Sequence, residues 1–91
     1  MVEQTKIKAV IEYLQGEFPG FQIDNEKDFE RVSQKFSVDN GSRFYNVNFE
    51  RFFFENTSNI KKALQDLRLS EWMRRNEGKQ VLVRQGEVKI F

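Results

Sequence analysis

The dipeptide Asn40-Gly41 most constrains the fold, because it joins two segments in which apolar and polar residues alternate. Asn-Gly is typical of the two-residue type I′ turn of a β-hairpin, whose central residues both take positive φ. Such a turn predicts four facing pairs on one side of the sheet: Val32 with Phe49, Gln34 with Val47, Phe36 with Tyr45, and Val38 with Arg43. Apart from Gln34 and Arg43 these residues are apolar. This face is therefore expected to be buried, and a slip of one residue would expose it.

The spacing of apolar residues on either side of this hairpin predicts the remaining elements. In chain order these are a helix over residues 5–16, a short strand at 21–23, the hairpin arms at 29–39 and 42–54, a helix from 60 to about 75, and a C-terminal hairpin that turns at Gln85-Gly86. The order α-β-β-β-α-β-β predicts a single α+β domain over residues 1–91, with an antiparallel sheet and with helices packed on one face. Its predicted core contains Ile11, Leu14, Phe36, Val47, Leu64 and Leu67.

The second predicted helix lies in the basic part of the chain. Residues 1–56 hold 7 Lys or Arg and 10 Asp or Glu, a formal charge of −3, whereas residues 57–91 hold 8 and 4, a formal charge of +4. One continuous helix would align a single stripe of side chains: Lys61, Gln65, Arg68, Trp72 and Arg75. Such a stripe could lie against a phosphate backbone. The candidate phosphate contacts are Lys61, Lys62, Arg68 and Arg75.

The continuity of this helix is open. Its apolar set changes phase after Leu67, so either the helix has a wide apolar face or it breaks near Ser70. A break would destroy the basic stripe. Trp72 could also turn inward and leave an ordinary solvated face.

The run of phenylalanines at residues 52–54 interrupts the strand alternation. Neighbouring strand residues point to opposite faces, so three consecutive rings cannot all enter one core. Strand spacing places two of them on the outer face with Phe44, and Phe91 continues the pattern of the C-terminal hairpin. The candidate partner face is therefore Phe44, Phe52, Phe54 and Phe91. Either another part of the chain covers these rings, or they dock a protein partner or a second copy. Stacking of single-stranded bases is a weaker alternative, because the negative charges of Glu50 and Glu55 lie nearby.

Composition argues against catalysis. The chain has no Cys and no His, which removes thiolate nucleophiles, sulfur-based zinc sites and the commonest general base. The acidic segment at residues 24–30 resembles the start of a calcium loop. It has Phe29 where the loop needs Gly and Lys35 where it needs Glu, so a solvated turn is the better interpretation. We predict no enzyme activity, no metal and no cofactor.

The sequence also predicts a location and a class of function. The first residues lead straight into a helix without the apolar core of a signal peptide, and no apolar run is long enough to span a membrane. We expect a cytoplasmic protein without a membrane or small-molecule partner. The predicted function is a non-enzymatic binding module for a protein partner or a second copy, through the aromatic sheet face or an edge strand. The alternative is a nucleic-acid-binding module that uses the basic second helix, and a small hydrolase is a distant third.

Overall fold

The computed structural model describes residues 4–28 and 33–90. The elements are α1 (Gln4–Glu17), β1 (Gln22–Asp28), β2 (Ser33–Asp39), β3 (Phe44–Glu50), α2 (Arg51–Glu55), α3 (Ile60–Leu67), α4 (Leu69–Arg75), β4 (Gln80–Arg84) and β5 (Glu87–Ile90). They confirm the predicted α+β class and the order α-β-β-β-α-β-β. The predicted second helix is divided into α3 and α4, and the short helix α2 precedes it at the end of the predicted strand over residues 42–54.

The strands of the described residues form one five-stranded sheet in the order β1-β2-β3-β4-β5. Neighbouring strands are antiparallel except β3 and β4, which run parallel. The prediction of antiparallel pairing is wrong at this one junction. The helical segments between β3 and β4 carry the chain back along the sheet, so β4 starts at the same end as β3. The helices pack on one face, and their buried residues join those of the sheet in one core.

The first hairpin has a four-residue loop over residues 40–43 rather than the predicted two-residue turn. Asp39 pairs with Phe44, and the N–H of Asn40 donates to the carbonyl of Arg43 at 3.2 Å. The Oδ1 of Asn40 accepts from the N–H of Arg43 at 2.7 Å, and the Oδ1 of Asp39 accepts from that of Gly41 at 2.7 Å. Gly41 has the expected positive φ, 89°, but Asn40 does not, which excludes a type I′ turn.

The longer loop moves the hairpin register by two residues, so that Phe36 faces Val47 instead of Tyr45. A shift of two keeps every side chain on its predicted face, because the side-chain period of a strand is two. The buried residues of this face are Phe36, Val38, Tyr45, Val47 and Phe49. The predicted pairing of Val32 lies outside the described residues.

β3 ends at Glu50, so the predicted strand over residues 42–54 is too long. In the helical turn of α2, Phe53 and Phe54 both point into the core, and the ring centroid of each lies 5.4 Å from that of Phe49. Phe52 points away and is 65% exposed. Burial of two rings favours the helix here, since a strand would bury only one of the two neighbours.

The second helix breaks at Arg68, which decides between the two alternatives left open by the sequence. Arg68 has φ 55° and ψ 46°, the left-handed conformation, which costs a non-glycine residue about 1–2 kcal/mol. The first turn of α4 is held by α1. The hydroxyl of Tyr13 accepts from the Ser70 N–H at 3.1 Å, and the Ser70 hydroxyl donates to the Glu17 carboxylate at 2.6 Å. These contacts offset the strain at the break.

β1 includes residues 24–27, which the sequence predicts to be a turn. It pairs with β2 from Gln22 opposite Asp39 to Asp28 opposite Ser33. Exposed charged residues suit an edge strand, because one side of such a strand meets water and its charges discourage further pairing.

The predicted core is confirmed in part. Leu14, Phe36, Val47 and Leu64 are fully buried, whereas Ile11 and Leu67 are partly buried against the core. Gln34 also faces inward, and its Nε2 donates to the Oδ1 of Asn25 in β1 at 3.1 Å. Among the described residues, no helix has both the length and the apolar character needed to span a membrane.

Candidate interaction surfaces

The predicted aromatic face is not one surface. Phe54 is 1% exposed and cannot contact a partner, so its assignment to this face is wrong. Phe44 is 41% exposed at the start of β3, and Phe52 lies beyond the other end of that strand. The seven residues of β3 span about 20 Å, so these two rings form no common patch. Phe91 lies outside the described residues.

The corner that holds Phe44 is tied to the loop between α4 and β4. The carbonyl of Phe44 accepts from the N–H of Gly78 at 3.0 Å. Arg43 forms an ion pair with Glu77 at 3.3 Å, and both side chains are well exposed. A side-chain hydrogen bond and an electrostatic interaction with Tyr45, together with the carboxylate of Glu77, raise the pKa of Arg43 above its ordinary value. Since Arg43 is protonated at any physiological pH, this corner is not a pH switch.

The predicted basic stripe is interrupted. The left-handed turn at Arg68 ends α3, so α4 does not continue its face. Lys61 is engaged by Glu12, with 3.3 Å between Nζ and Oε1. Lys62, Arg68 and Arg75 make no ion pair with any described residue.

The sequence leaves open whether Trp72 belongs to an exposed basic stripe or turns inward. Its side chain is 38% exposed, which lies between these two alternatives. It belongs to α4, whose inward residues are Leu69, Ser70 and Met73. Its neighbour Arg74 packs back onto the end of α1, with its guanidinium 4.9 Å from the centre of the Phe18 ring. The outer side of α4 therefore combines a half-exposed indole with Arg75, which forms no ion pair with a described residue.

The edge strand β5 has apolar side chains that the helices leave partly open. The pairs Val81 with Ile90 and Val83 with Val88 confirm the predicted C-terminal hairpin. The main helix–sheet contacts are those of α1 with β1, of α2 with β3 and β4, and of α4 with β3. Val88 and Ile90, on the helix side of β5, are accordingly partly buried against the core and partly exposed.

The side chains of β5 that face away from the helices have opposite charges. Glu87 and Lys89 are both exposed, and their Oε1 and Nζ atoms are 3.8 Å apart. The other edge, β1, presents the exposed acidic residues Asp24 and Glu26 on that face. The two edges therefore differ in charge pattern as well as in helix cover.

Apart from Phe44 and the buried Leu82, the described part of the sheet face away from the helices is polar. Asn48 at its centre is buried between Lys35 and Leu82 on the neighbouring strands. The Oδ1 of Asn48 and the Oγ of Ser33 have no hydrogen-bond partner among the described residues. Apart from Phe44 at one corner, the described part of this face has no aromatic ring, so it offers little for bases to stack on.

A shallow groove lies between the starts of α1 and α3. Its volume is about 390 Å³, and it is lined by Thr5, Lys6, Ala9, Ser58, Asn59, Ile60 and Lys61. Three of its polar side chains already have partners in the chain: Lys6 donates to the Phe54 carbonyl, Asn59 caps α3, and Lys61 pairs with Glu12. The part of the chain that the structure describes has no cluster of three or more carboxylates that could hold a metal ion.

No family model, no curated protein and no solved structure matches this chain. No function is therefore carried over from a relative, and any assignment depends on the surfaces described above. The most informative of these is the β5 edge. The sequence predicted its hairpin register, but the incomplete helix cover became apparent only from the packing of α2 and α4.

Proposed function

We propose that this chain is a small non-catalytic binding module that associates with a protein partner or a second copy along β5. The observation that carries the proposal is that β5 is an edge strand whose apolar residues, Val88 and Ile90, remain partly exposed. An edge strand offers unpaired backbone N–H and C=O groups, and apolar side chains beside them favour strand addition. The cytoplasmic location expected from the sequence stays a prediction and is part of this proposal.

The direction of the β5 backbone groups follows from the hairpin. The turn at Gln85-Gly86 joins Arg84 to its partner Glu87. In a hairpin with a two-residue loop, the pair that flanks the loop exchanges hydrogen bonds and the next pair does not. The N–H groups of Val88 and Ile90 therefore point away from β4, towards the free edge.

Phe52 supports a partner surface at the same end of the molecule. It belongs to α2, which packs against β3 and β4. Glu50, just before α2, forms an ion pair with Arg84 at 2.7 Å, and Arg84 precedes the turn into β5. A large exposed ring close to an open edge would add apolar area to an interface.

The edge proposal is tested by NMR of the ¹⁵N-labelled chain. Spectra are recorded at increasing protein concentration, and with strand-forming peptides selected from a random display library. We expect the Val88 and Ile90 amides to shift or become protected, and Val88→Pro to abolish the effect. Proline there removes a donor that faces the free edge and leaves the hydrogen bonds to β4 intact.

The control for this experiment is Phe44→Ser, which changes an exposed ring at the far corner of the sheet and should leave association unchanged. Phe52→Ser should weaken it. If the β5 amides respond neither to concentration nor to any selected peptide, the edge proposal is wrong.

A second candidate function is nucleic-acid binding through α3 and α4. The observation that favours it is that three exposed cations of α3, α4 and the turn between them, Lys62, Arg68 and Arg75, form no ion pair with a described residue, and that Trp72 of α4 is 38% exposed. If they contact phosphates, affinity should fall steeply with salt, and each charge removal should lower the salt slope by about one. Trp72 fluorescence reports binding to duplex and single-stranded probes, and no binding at low salt would exclude this function.

A further inference from the structure

We infer that the partner of β5 is a second copy of this chain, paired antiparallel to β5 with Val88 on the two-fold axis. This inference rests on the proposed function, since it requires β5 to be the docking edge. It adds the identity of the partner and the register of the contact. Two five-stranded sheets would join into one continuous sheet, with the helices of both copies on one side.

The charges of β5 select this register. With Val88 opposite itself, Glu87 of one copy lies opposite Lys89 of the other, and the same pair forms again across the axis. Directly opposed side chains in an antiparallel pair lie about 4.5–5.5 Å apart, so both pairs are within range for an ion pair. The strand is thus complementary to itself in charge.

The two neighbouring registers place like charges opposite each other. Centring the axis on Lys89 places the two Lys89 ammonium groups opposite each other, and centring it on Glu87 does the same with the two Glu87 carboxylates. Like charges directly opposite are destabilising.

Backbone geometry agrees with the axis at Val88. Its N–H and C=O both point to the free edge, so each copy donates one hydrogen bond to the other at that pair. On the helix side, the partly exposed Val88 side chains meet each other, and the apolar strip of β5 is extended by that of the second copy. The hydrogen-bonding and apolar contacts are compatible with this register, and the charges distinguish it from its neighbours.

The other edge of the sheet, β1, is less suited to pairing with itself. In a β1 pair that keeps the helices on one side, an axis at Asn25 places Asp24 opposite Glu26, and an axis at either acidic residue places it opposite itself. Each of these three registers brings acidic side chains together. A closed dimer through β5 therefore leaves β1 as a charged, unpaired edge at each end of the sheet.

The ion pairs that Glu87 forms within one chain do not prevent it from pairing with Lys89 of a second copy. Glu87 lies 3.9 Å from Arg84 and 3.8 Å from Lys89, and these side chains are 41–50% exposed. Exposed pairs at such distances contribute little to stability. Glu87 and Lys89 are therefore free to exchange these contacts for those of the second copy.

The test uses two single charge reversals and their mixture. Glu87→Lys and Lys89→Glu each turn both intermolecular pairs into like-charge pairs, so each variant alone should self-associate at least about tenfold more weakly than the wild type. In an equimolar mixture, one variant carries lysine at both positions and the other carries glutamate at both, so every facing pair again joins opposite charges. The mixture should therefore recover association as a heterodimer.

Mass is measured by sedimentation equilibrium up to about 1 mM, because an edge as short as β5 is expected to pair weakly. The matched controls are Lys62→Glu and Glu71→Lys, which change exposed charges outside β5 and should leave the association constant unchanged. Recovery in the mixture also demonstrates that both variants are folded.

The outcomes separate this inference from the proposed function. A wild-type dimer that the reversals and their mixture leave unchanged overturns the register. A wild-type monomer overturns the second copy as partner, and the edge proposal then survives only if a selected peptide perturbs the Val88 and Ile90 amides. A monomer that no peptide perturbs at β5 overturns both.

Discussion

The clearest test of the folding argument is alanine substitution along the phenylalanine run. A strand over these residues would bury Phe53 and expose its two neighbours, whereas helix α2 buries Phe53 and Phe54 and exposes Phe52. Phe54→Ala therefore separates the two structures. It should be strongly destabilising in the helix and nearly neutral in a strand.

The magnitude follows from the surroundings of Phe54. Its ring is 1% exposed and lies 5.4 Å from the Phe49 centroid and 5.6 Å from that of Phe53. Loss of a buried phenyl group with these contacts should lower the free energy of unfolding by about 3–5 kcal/mol. Phe52→Ala should change it by about 0.5 kcal/mol or less, because that ring is mostly in water.

The assay is urea denaturation followed by circular dichroism, with Phe52→Ala as the matched control. A domain of 91 residues is expected to have about 5–14 kcal/mol of stability, so Phe54→Ala removes a large part of it. If that variant does not fold, Phe54→Leu provides the measurable difference. A Phe54→Ala protein within about 1 kcal/mol of Phe52→Ala would refute the helical assignment.

Three further substitutions test other parts of the structure, each by the same denaturation assay. Gly41→Val places a β-branched residue at φ 89° and should lower the free energy of unfolding by about 1–3 kcal/mol. Gly16→Ala, at an exposed position with free space in the last turn of α1, should instead stabilise the protein by about 0.5–1 kcal/mol, and equal effects of the two substitutions would contradict the loop assignment. Tyr13→Phe removes the acceptor of the buried Ser70 N–H and should cost about 1–3 kcal/mol, so an unchanged midpoint would mean that α4 is not held in this way. Arg68→Val should have a free energy of unfolding about 1 kcal/mol or more below that of Arg68→Gly, since only glycine adopts the left-handed conformation without strain. If the helix were continuous through residue 68, Arg68→Gly would be the less stable of the two variants.

Much of the fold was predictable because strand and helix periods are visible in a single sequence. Period-two alternation identified the buried face of β2 and β3, and that face survived even though the loop was longer than predicted. The same alternation predicted the register of the C-terminal hairpin, where Val83 pairs with Val88. The change of apolar phase after Leu67 indicated the helix break as one of two possibilities. All these signals are local, because each depends on residues a few positions apart.

The candidate site was less predictable, because it depends on which surfaces the packed elements leave open. Phenylalanine suits a buried strand or a buried helix, so the ends of β3 and α2 were decided by which rings could pack on Phe49. The ion pair of Lys61 with Glu12 engages one of the predicted phosphate contacts, and no residue near Lys61 in the chain indicates that pair.

The sequence by itself determined the element order, the inward face of the hairpin and the charge pattern of each strand. Tertiary structure decided the parallel direction of β4, the separation of Phe44 from Phe52, and the partial exposure of Val88 and Ile90. The physical reason is that periodicity describes one element at a time. Exposure depends on how far the helical layer extends across the sheet, and here its main contacts stop before β5.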